Sequence, residues 1–166
     1  MDPDLTIREF QPGDEAAFRD LNVEWIERYF IVEPKDREML EHPREKILDR
    51  GGRIFFAIRN GEPIGCCALI AMGPGEFEVA KMAVAPSHQG GGIGRVLLKQ
   101  VIAEARATGV TRLFLETNRK LAPAIRLYES VGFRHIPDDR VGPSPYARCD
   151  VWMELYLGGE SEAQHA

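Results

Sequence analysis

The chain has no apolar run approaching the ~20 residues that cross a bilayer as a helix, so nothing in it reads as a membrane span. It also has no positive excess. Its formal net charge of −5 argues against a general binder of nucleic acid or anionic membrane. Cysteine is scarce, and three residues make no disulfide framework. Cys66 and Cys67 are adjacent in an apolar run, where strand geometry sends them to opposite faces as small packing residues; Cys149 has no evident partner. The four histidines (His42, His88, His135 and His165) stand at no metal-ligand spacing with each other or with cysteine, so no metal is expected. The opening, MDPDLTIREF, is acidic and lacks the basic and apolar regions of a signal peptide, which points to the cytoplasm.

What is present suits one ordinary globular unit. At 166 residues, with 44% hydrophobic and 28% charged, the chain can bury a sizeable core but would be cramped as two domains. The expectation is a single domain over 1–157, followed by a polar tail, 158–166, too hydrophilic to pack and therefore disordered. Residues 5–10 alternate as an edge strand. Gly13-Asp14 then introduces a helix whose apolar positions Ala17, Phe18, Leu21, Trp25, Ile26, Tyr29 and Phe30 fall on one face, with Pro34 as its stop. Short helices follow over 36–40 and from Pro43 to Leu48, closing at Gly51-Gly52. Strands at 53–59 and 63–71 flank Asn60-Gly61, a strong hairpin signal, and Gly73-Pro74-Gly75 turns into a third strand at 76–84. A helix marked by Val96, Leu97, Val101, Ile102 and Ala105 stops at Gly109. After it come a strand at 111–116, a helix at 122–131 closed by Gly132, a strand at 133–136, a loop at 138–145 and a last strand at 150–157. An antiparallel meander followed by crossovers predicts an α/β fold: a mixed, mainly antiparallel twisted sheet with helices on both faces.

The segment KMAVAPSHQGGGIGRVLL, between the third strand and the following helix, is the most informative. A glycine cluster there is, on its own, explained by a tight turn between strand and helix and is weak evidence for any ligand. It is not a P-loop, because Gly94 is followed by Arg95 and Val96 where a phosphate lysine and a magnesium-binding hydroxyl belong. It fits the dinucleotide fingerprint poorly. Gly90 and Gly92 satisfy the first two glycines, but Arg95 stands at the third, although Glu116 at the end of the next strand would suit a ribose contact. The frame that does fit is Gln89-Gly90-Gly91-Gly92-Ile93-Gly94, read as (Arg/Gln)-x-x-Gly-x-(Gly/Ala). Consecutive N–H groups running into the unpaired donors of a helix N-terminus suit a diphosphate.

In this frame the chain resembles the GNAT superfamily of acyl-CoA N-acyltransferases, where the turn binds the pyrophosphate of coenzyme A. Downstream, Asn118 and the stretch AIRLYESVGF, carrying Ala124, Leu127, Tyr128, Gly132 and Phe133, resemble the family's second signature. Leu121 departs from it, standing where many members carry a second cofactor-contacting asparagine. The likeness runs from about Thr6 to Leu157 and extends to the acetyltransferase half of bacterial fusions with MarR-type regulators.

The resemblance implies a cytoplasmic acetyltransferase that moves an acetyl group from acetyl-CoA directly to a primary amine of a small molecule or peptide. It implies no metal, no nucleic acid and no membrane, and is compatible with a homodimer. The other reading is a non-catalytic acyl-CoA sensor or interaction module. Cofactor contacts are expected at Met82, Ala83, Val84, Gln89, Gly90, Gly91, Gly92, Ile93, Gly94, Arg95, Asn118 and Tyr128. The strand bearing Met82 should carry a bulge and splay from the next, so that pantetheine adds like a further strand.

An amine with a pKa of ~10.4 is almost fully protonated at neutral pH, so a base is required. Glu78 is assigned that role, with Glu76 on the same face as fallback. Tyr128 serves the departing thiolate; a phenol at ~10 is a weaker acid than a thiol at ~8.5, so a stabilising hydrogen bond is the safer role. Tyr29, Glu33, Tyr146 and Arg148 are the expected substrate contacts.

Overall fold

The computed structural model describes residues 3–158, so all but the first residue of the tail expected at 158–166 lies outside the described residues. Seven strands form one sheet: β1 (Leu5–Glu9), β2 (Arg53–Arg59), β3 (Glu62–Gly73), β4 (Glu76–Val84), β5 (Arg112–Thr117), β6 (Arg134–His135) and β7 (Val151–Tyr156). Their order is β1-β2-β3-β4-β5-β7-β6, antiparallel at every junction except β4–β5. The Asn60-Gly61 turn has φ of 51° and 80°, the two positive values that let a two-residue loop match strand twist.

Helices cover both faces. Strand alternation divides the core accordingly: Ile54, Phe56, Ile58, Cys66 and Ala68 pack with Phe18, Ile26, Leu40 and Ile47 from the early helices. Phe55, Cys67 and Leu69 pack on the other face, with Leu97, Leu98, Val101, Ile102 and Ala105. The adjacent cysteines thus serve opposite core layers, and burial pushes the Cys66 thiol up to about 12. The early helices are α1 (Glu15–Tyr29), α2 (Pro34–Glu41) and α3 (Pro43–Lys46); the opposite face carries α4 (Ile93–Ala107) and α5 (Ala122–Ser130).

The proline at position 34 acts differently from expectation. α1 ends five residues before it, at Tyr29 with Phe30 extended, and Pro34 is the first residue of α2. Its ring is pre-organised for a helical first position, where no N–H is needed. A capping box completes that start: the Glu33 side chain accepts from the Asp36 N–H, and Asp36 Oδ2 accepts from the Glu33 N–H at 2.9 Å. The helix expected to reach Leu48 ends at Lys46 and continues as a 3-10 turn, Leu48–Arg50, because Gly52 must press against the sheet. A Cβ on Gly52 would lie 2.6 Å from the Leu69 carbonyl oxygen.

Two irregularities in β4 open the sheet. Cys66 pairs with Ala83 and Ala68 with Ala80, so Lys81 and Met82 together oppose Cys67 in a bulge. Lys81 takes φ of 54° there, an uncommon conformation for a side-chain-bearing residue. Beyond Glu78, moreover, β4 no longer pairs with β5: their parallel register covers only Glu76–Arg112, Phe77–Leu113 and Glu78–Phe114. The strands diverge as expected, leaving a cleft in the middle of the sheet.

Candidate active site

The cleft opens into a groove on one side and an inner cavity on the other. The groove is lined by Met82, Ala83, Val84, Gln89, Gly90, Gly92, Ile93, Gly94 and Arg95 against Tyr29, Lys120, Pro123, Leu127 and Tyr128. Gly90 and Gly92 take φ of 84° and 78°, and no atom lies within 4 Å of where their Cβ would be. Among the described residues, none of the backbone N–H groups from Gly90 to Arg95 donates to a protein acceptor. The turn is pinned from behind: Gln89 Nε2 donates to the Val84 carbonyl at 3.0 Å, and Arg28 donates to Gln89 Oε1 at 3.3 Å. A run of free donors at the start of a 15-residue helix is an anion cradle, and its glycines admit close approach of oxygen atoms.

The inner cavity is built from side chains. Trp25, Ile26 and Phe30 of α1 and its end, Glu78 to Met82 of β4, Glu116 and Thr117 of β5, and Tyr146, Arg148 and Cys149 of the late loop line it. A buried charge network forms one wall. Asp36, fully buried, receives Arg148 on both oxygens at 2.8 and 2.7 Å and Lys81 Nζ at 2.9 Å. Lys81 also donates to the Tyr146 hydroxyl at 2.9 Å, and Arg148 reaches Glu33 at 3.2 Å. Burial opposes ionisation of Asp36, but the Arg148 hydrogen bonds and the Lys81 charge outweigh it and hold the carboxyl at about 2. Burial pulls Lys81 below the ordinary lysine range, against the pull of Asp36.

Glu78 has a different environment. No hydrogen bond or ion pair from the described residues holds its carboxyl, and burial, with the charge of Glu116, raises it to about 7. Glu116 accepts from Ser144 at 3.1 Å and from Trp152 Nε1 at 3.2 Å. Glu76, the fallback base, is tied to Arg112 at 2.9 Å and does not line the cavity. Tyr128 borders both compartments, as do Trp25, Met82, Leu121 and Ala124. Its ring stands edge-on to Phe133, and burial pushes its phenol above the usual tyrosine value.

The sequence-derived residues divide between these compartments. Tyr29 borders the glycine groove, apart from Tyr146 and Arg148 in the inner cavity. Glu33 stands behind that cavity, bonded to Arg148 and the Ala147 N–H. Asn118 lines the inner cavity with its amide committed to protein: Nδ2 donates to the Arg148 carbonyl at 2.7 Å, and Oδ1 accepts from Lys120 N–H. Gly91 does not border the groove, and Arg95 donates to Ser130 at 2.6 Å. Asp36, Lys81 and Glu116 carry much of the cavity's charge but are absent from the residues expected as site contacts. Of the three, only Glu116 drew notice in the sequence, and then as a ribose contact in the rejected dinucleotide pattern.

Comparison with known proteins agrees with this geometry. The profile of the Acetyltransferase (GNAT) family matches residues 17–133. An IAA acetyltransferase from Azospirillum brasilense is 33% identical over 159 residues, covering 93% of this chain and 99% of that one. A GNAT-family acetyltransferase structure from Staphylococcus aureus shares the fold with a TM-score of 0.82 at 21% identity, covering 92% of this chain and 99% of that one. A Salmonella typhimurium structure described as an acetyltransferase with its cofactor acetyl-CoA matches with a TM-score of 0.70 at 26% identity, over 92% and 94% of the two chains. A mixed sheet split at its centre, with a glycine turn at the split, defines an acyl-CoA N-acyltransferase fold. The chain belongs to the GNAT acetyltransferase family and is an acyltransferase.

Proposed function

We propose that this protein transfers an acetyl group from acetyl-CoA directly to a primary amine of a small molecule or peptide. One observation carries the reading: Tyr128 and Met82 stand where an anion-binding groove meets a cavity containing an unpaired, weakly acidic carboxyl. The residues fit coenzyme A. The free N–H groups of Gly90, Gly92, Ile93, Gly94 and Arg95 along the groove suit its pyrophosphate, and the unpaired edge of β4 from Val79 to Val84 suits an extended pantetheine. Acetyl-CoA supplies the activated thioester. The chain then has three tasks. Glu78 takes one proton from the acceptor ammonium, leaving a neutral amine whose lone pair forms the new C–N bond. Backbone donors at the bulge polarise the acyl carbonyl. The Tyr128 hydroxyl donates a hydrogen bond to the sulfur as the C–S bond breaks and keeps its own proton, since burial makes it a still weaker acid. The second amine proton, lost from nitrogen once the C–N bond has formed, is taken up by the departing thiolate, which leaves as the free thiol of coenzyme A. Substrate contacts fall to Tyr146 and Arg148 in the inner cavity, with Glu33 fixing Arg148 and Tyr29 nearer the groove.

Calorimetry with acetyl-CoA, NAD and NADP, followed by thiol release across amino acids, polyamines, aminoglycosides and peptides, tests this function. Binding of acetyl-CoA alone and acceptor-dependent thiol release are expected. Binding with no thiol release from any amine would leave a sensor and reject catalysis.

A further inference from the structure

Glu116 remains unaccounted for. The dinucleotide pattern would have placed it at a ribose, yet the structure places it in the inner cavity with Glu78. Its position follows from register. Glu78 pairs with Phe114 in the parallel β4–β5 ladder, so Glu116, two residues on, shares the Glu78 face. The carboxylate is held rather than mobile, since Ser144 and Trp152 each donate to one of its oxygens. No cation pairs with it among the described residues, and none pairs with Glu78 within salt-bridge distance.

The rest of the cavity offers little compensation. Lys81 on β4 is committed to Asp36 of α2, and Arg148 on the late loop to Asp36 and Glu33. The positive charges of Lys81 and of Lys35 on α2 favour ionised Glu78. Tyr146 is neutral and hydrogen-bonded to Lys81. Two carboxylates therefore share one face of a half-enclosed cavity, and only Glu116 has donors to stabilise its charge.

We propose that Glu116 is a positioning residue that acts through Glu78: its fixed negative charge makes the Glu78 carboxylate a stronger acceptor for the ammonium proton. The role rests on amine acetylation as proposed above. Mass and charge balance: R–NH3+ and Glu78 carboxylate become R–NH2 and Glu78 carboxylic acid, and Glu116 exchanges no proton in the step. Burial raises the Glu78 carboxyl first and the charge of Glu116 raises it further, which together match it to neutral pH, where a carboxylate at its ordinary value would hold the proton too weakly.

The test is a carboxyl-carbon NMR titration of the full chain labelled in its glutamates. The resonance missing from Glu78→Gln identifies Glu78. In Glu116→Gln, whose amide can still accept from Trp152 and meet Ser144, the Glu78 midpoint should fall by roughly one pH unit or more. Glu116→Ala removes the same charge without an amide and should give the same fall. An unmoved Glu78 midpoint in whichever variant folds overturns the proposal. The pH profile of kcat/KM separates it from the base assignment. An acid limb that follows the midpoint downward supports both. A midpoint that falls while the limb stays put upholds the Glu116–Glu78 coupling and rejects Glu78 as the base.

Discussion

The groove and the inner cavity meet at Tyr128 and Met82 but are built from different materials. The groove depends on backbone: a bulged strand, a left-handed glycine pair and unpaired N–H groups at a helix start. Its shape follows from ten or so consecutive residues. The cavity depends on side chains from α1, α2, β4, β5 and the late loop, locked by charges that are separately costly to bury. This difference matches the chemistry. A diphosphate offers the same oxygens in every turnover, and a generic backbone cradle serves it. An acceptor amine must be chosen and deprotonated, which requires particular side chains at tuned proton affinities. Substitutions should therefore have distinct signatures on the two sides.

The largest effect is expected at Asp36, the hub of the cavity wall. Asp36→Ala leaves Lys81 buried without its counter-charge and Arg148 with Glu33 alone, and should cost about 3–5 kcal/mol of stability, read from urea unfolding. A loss below about 1 kcal/mol would mean that the wall is held by packing and not by charge. The same pair sets the acid behaviour of the wild type. Asp36 titrates at about 2 when folded, against an ordinary value of 3.8, so its contribution is complete above about pH 4 and is lost as the pH falls towards 2. Asp14 and Glu154, also held low by arginines, add to that acid sensitivity.

Glu78→Gln comes next. Removing the base should lower kcat by on the order of 10²-fold or more, abolish the acid limb of the pH profile and leave acetyl-CoA affinity unchanged by calorimetry. Stability should move the other way. Glu78 rises from 4.5 to about 7 on folding, so the native protein loses stability as the pH climbs between those values. The glutamine variant escapes that penalty and should melt at a higher temperature than wild type at pH 8. Equal melting temperatures there would show that the carboxyl is freely solvated.

The contrast between the two regions also governs what the sequence disclosed. The hairpin at Asn60-Gly61, the strand pattern and the glycine turn are local, and each was readable because neighbours in sequence are neighbours in space. The mixed sheet with helices on both faces followed from them. The Asp36–Lys81–Arg148 network was not readable, since its members lie 45 and 112 positions apart from Asp36 and look like ordinary surface charges. Pro34 misled for a related reason: the same proline chemistry ends one helix or starts the next, and only the Glu33–Asp36 box decides which. Glu116 was noticed for its place in a pattern, but its role depends on where Ser144 and Trp152 arrive.

Tyr128 tests the boundary itself. Its hydroxyl makes no hydrogen bond to the described residues, so Tyr128→Phe leaves no buried partner stranded. The fold and acetyl-CoA affinity should hold, while kcat falls on the order of 10- to 100-fold through loss of one hydrogen bond to a departing anion. Unchanged turnover would remove the hydroxyl from the reaction and leave the ring as packing against Phe133.

The smallest effects belong to the glycine turn, and two positions two residues apart should separate backbone conformation from bulk. Gly92 has φ of 78° with nothing near its absent Cβ, so Gly92→Ala pays only for the left-handed conformation, about 1 kcal/mol. That cost falls on the state with the cradle formed, and KM for acetyl-CoA should rise about fivefold with kcat unchanged. At Gly94 the φ is ordinary, and an added Cβ would meet Leu127 and Met82 at 3.7 and 3.9 Å, normal contact distances. Gly94→Ala should therefore leave KM near wild type, with a small gain in helix propensity. If instead Gly94→Ala raises KM as much as Gly92→Ala, the groove is limited by space around the ligand and not by the direction of its N–H groups.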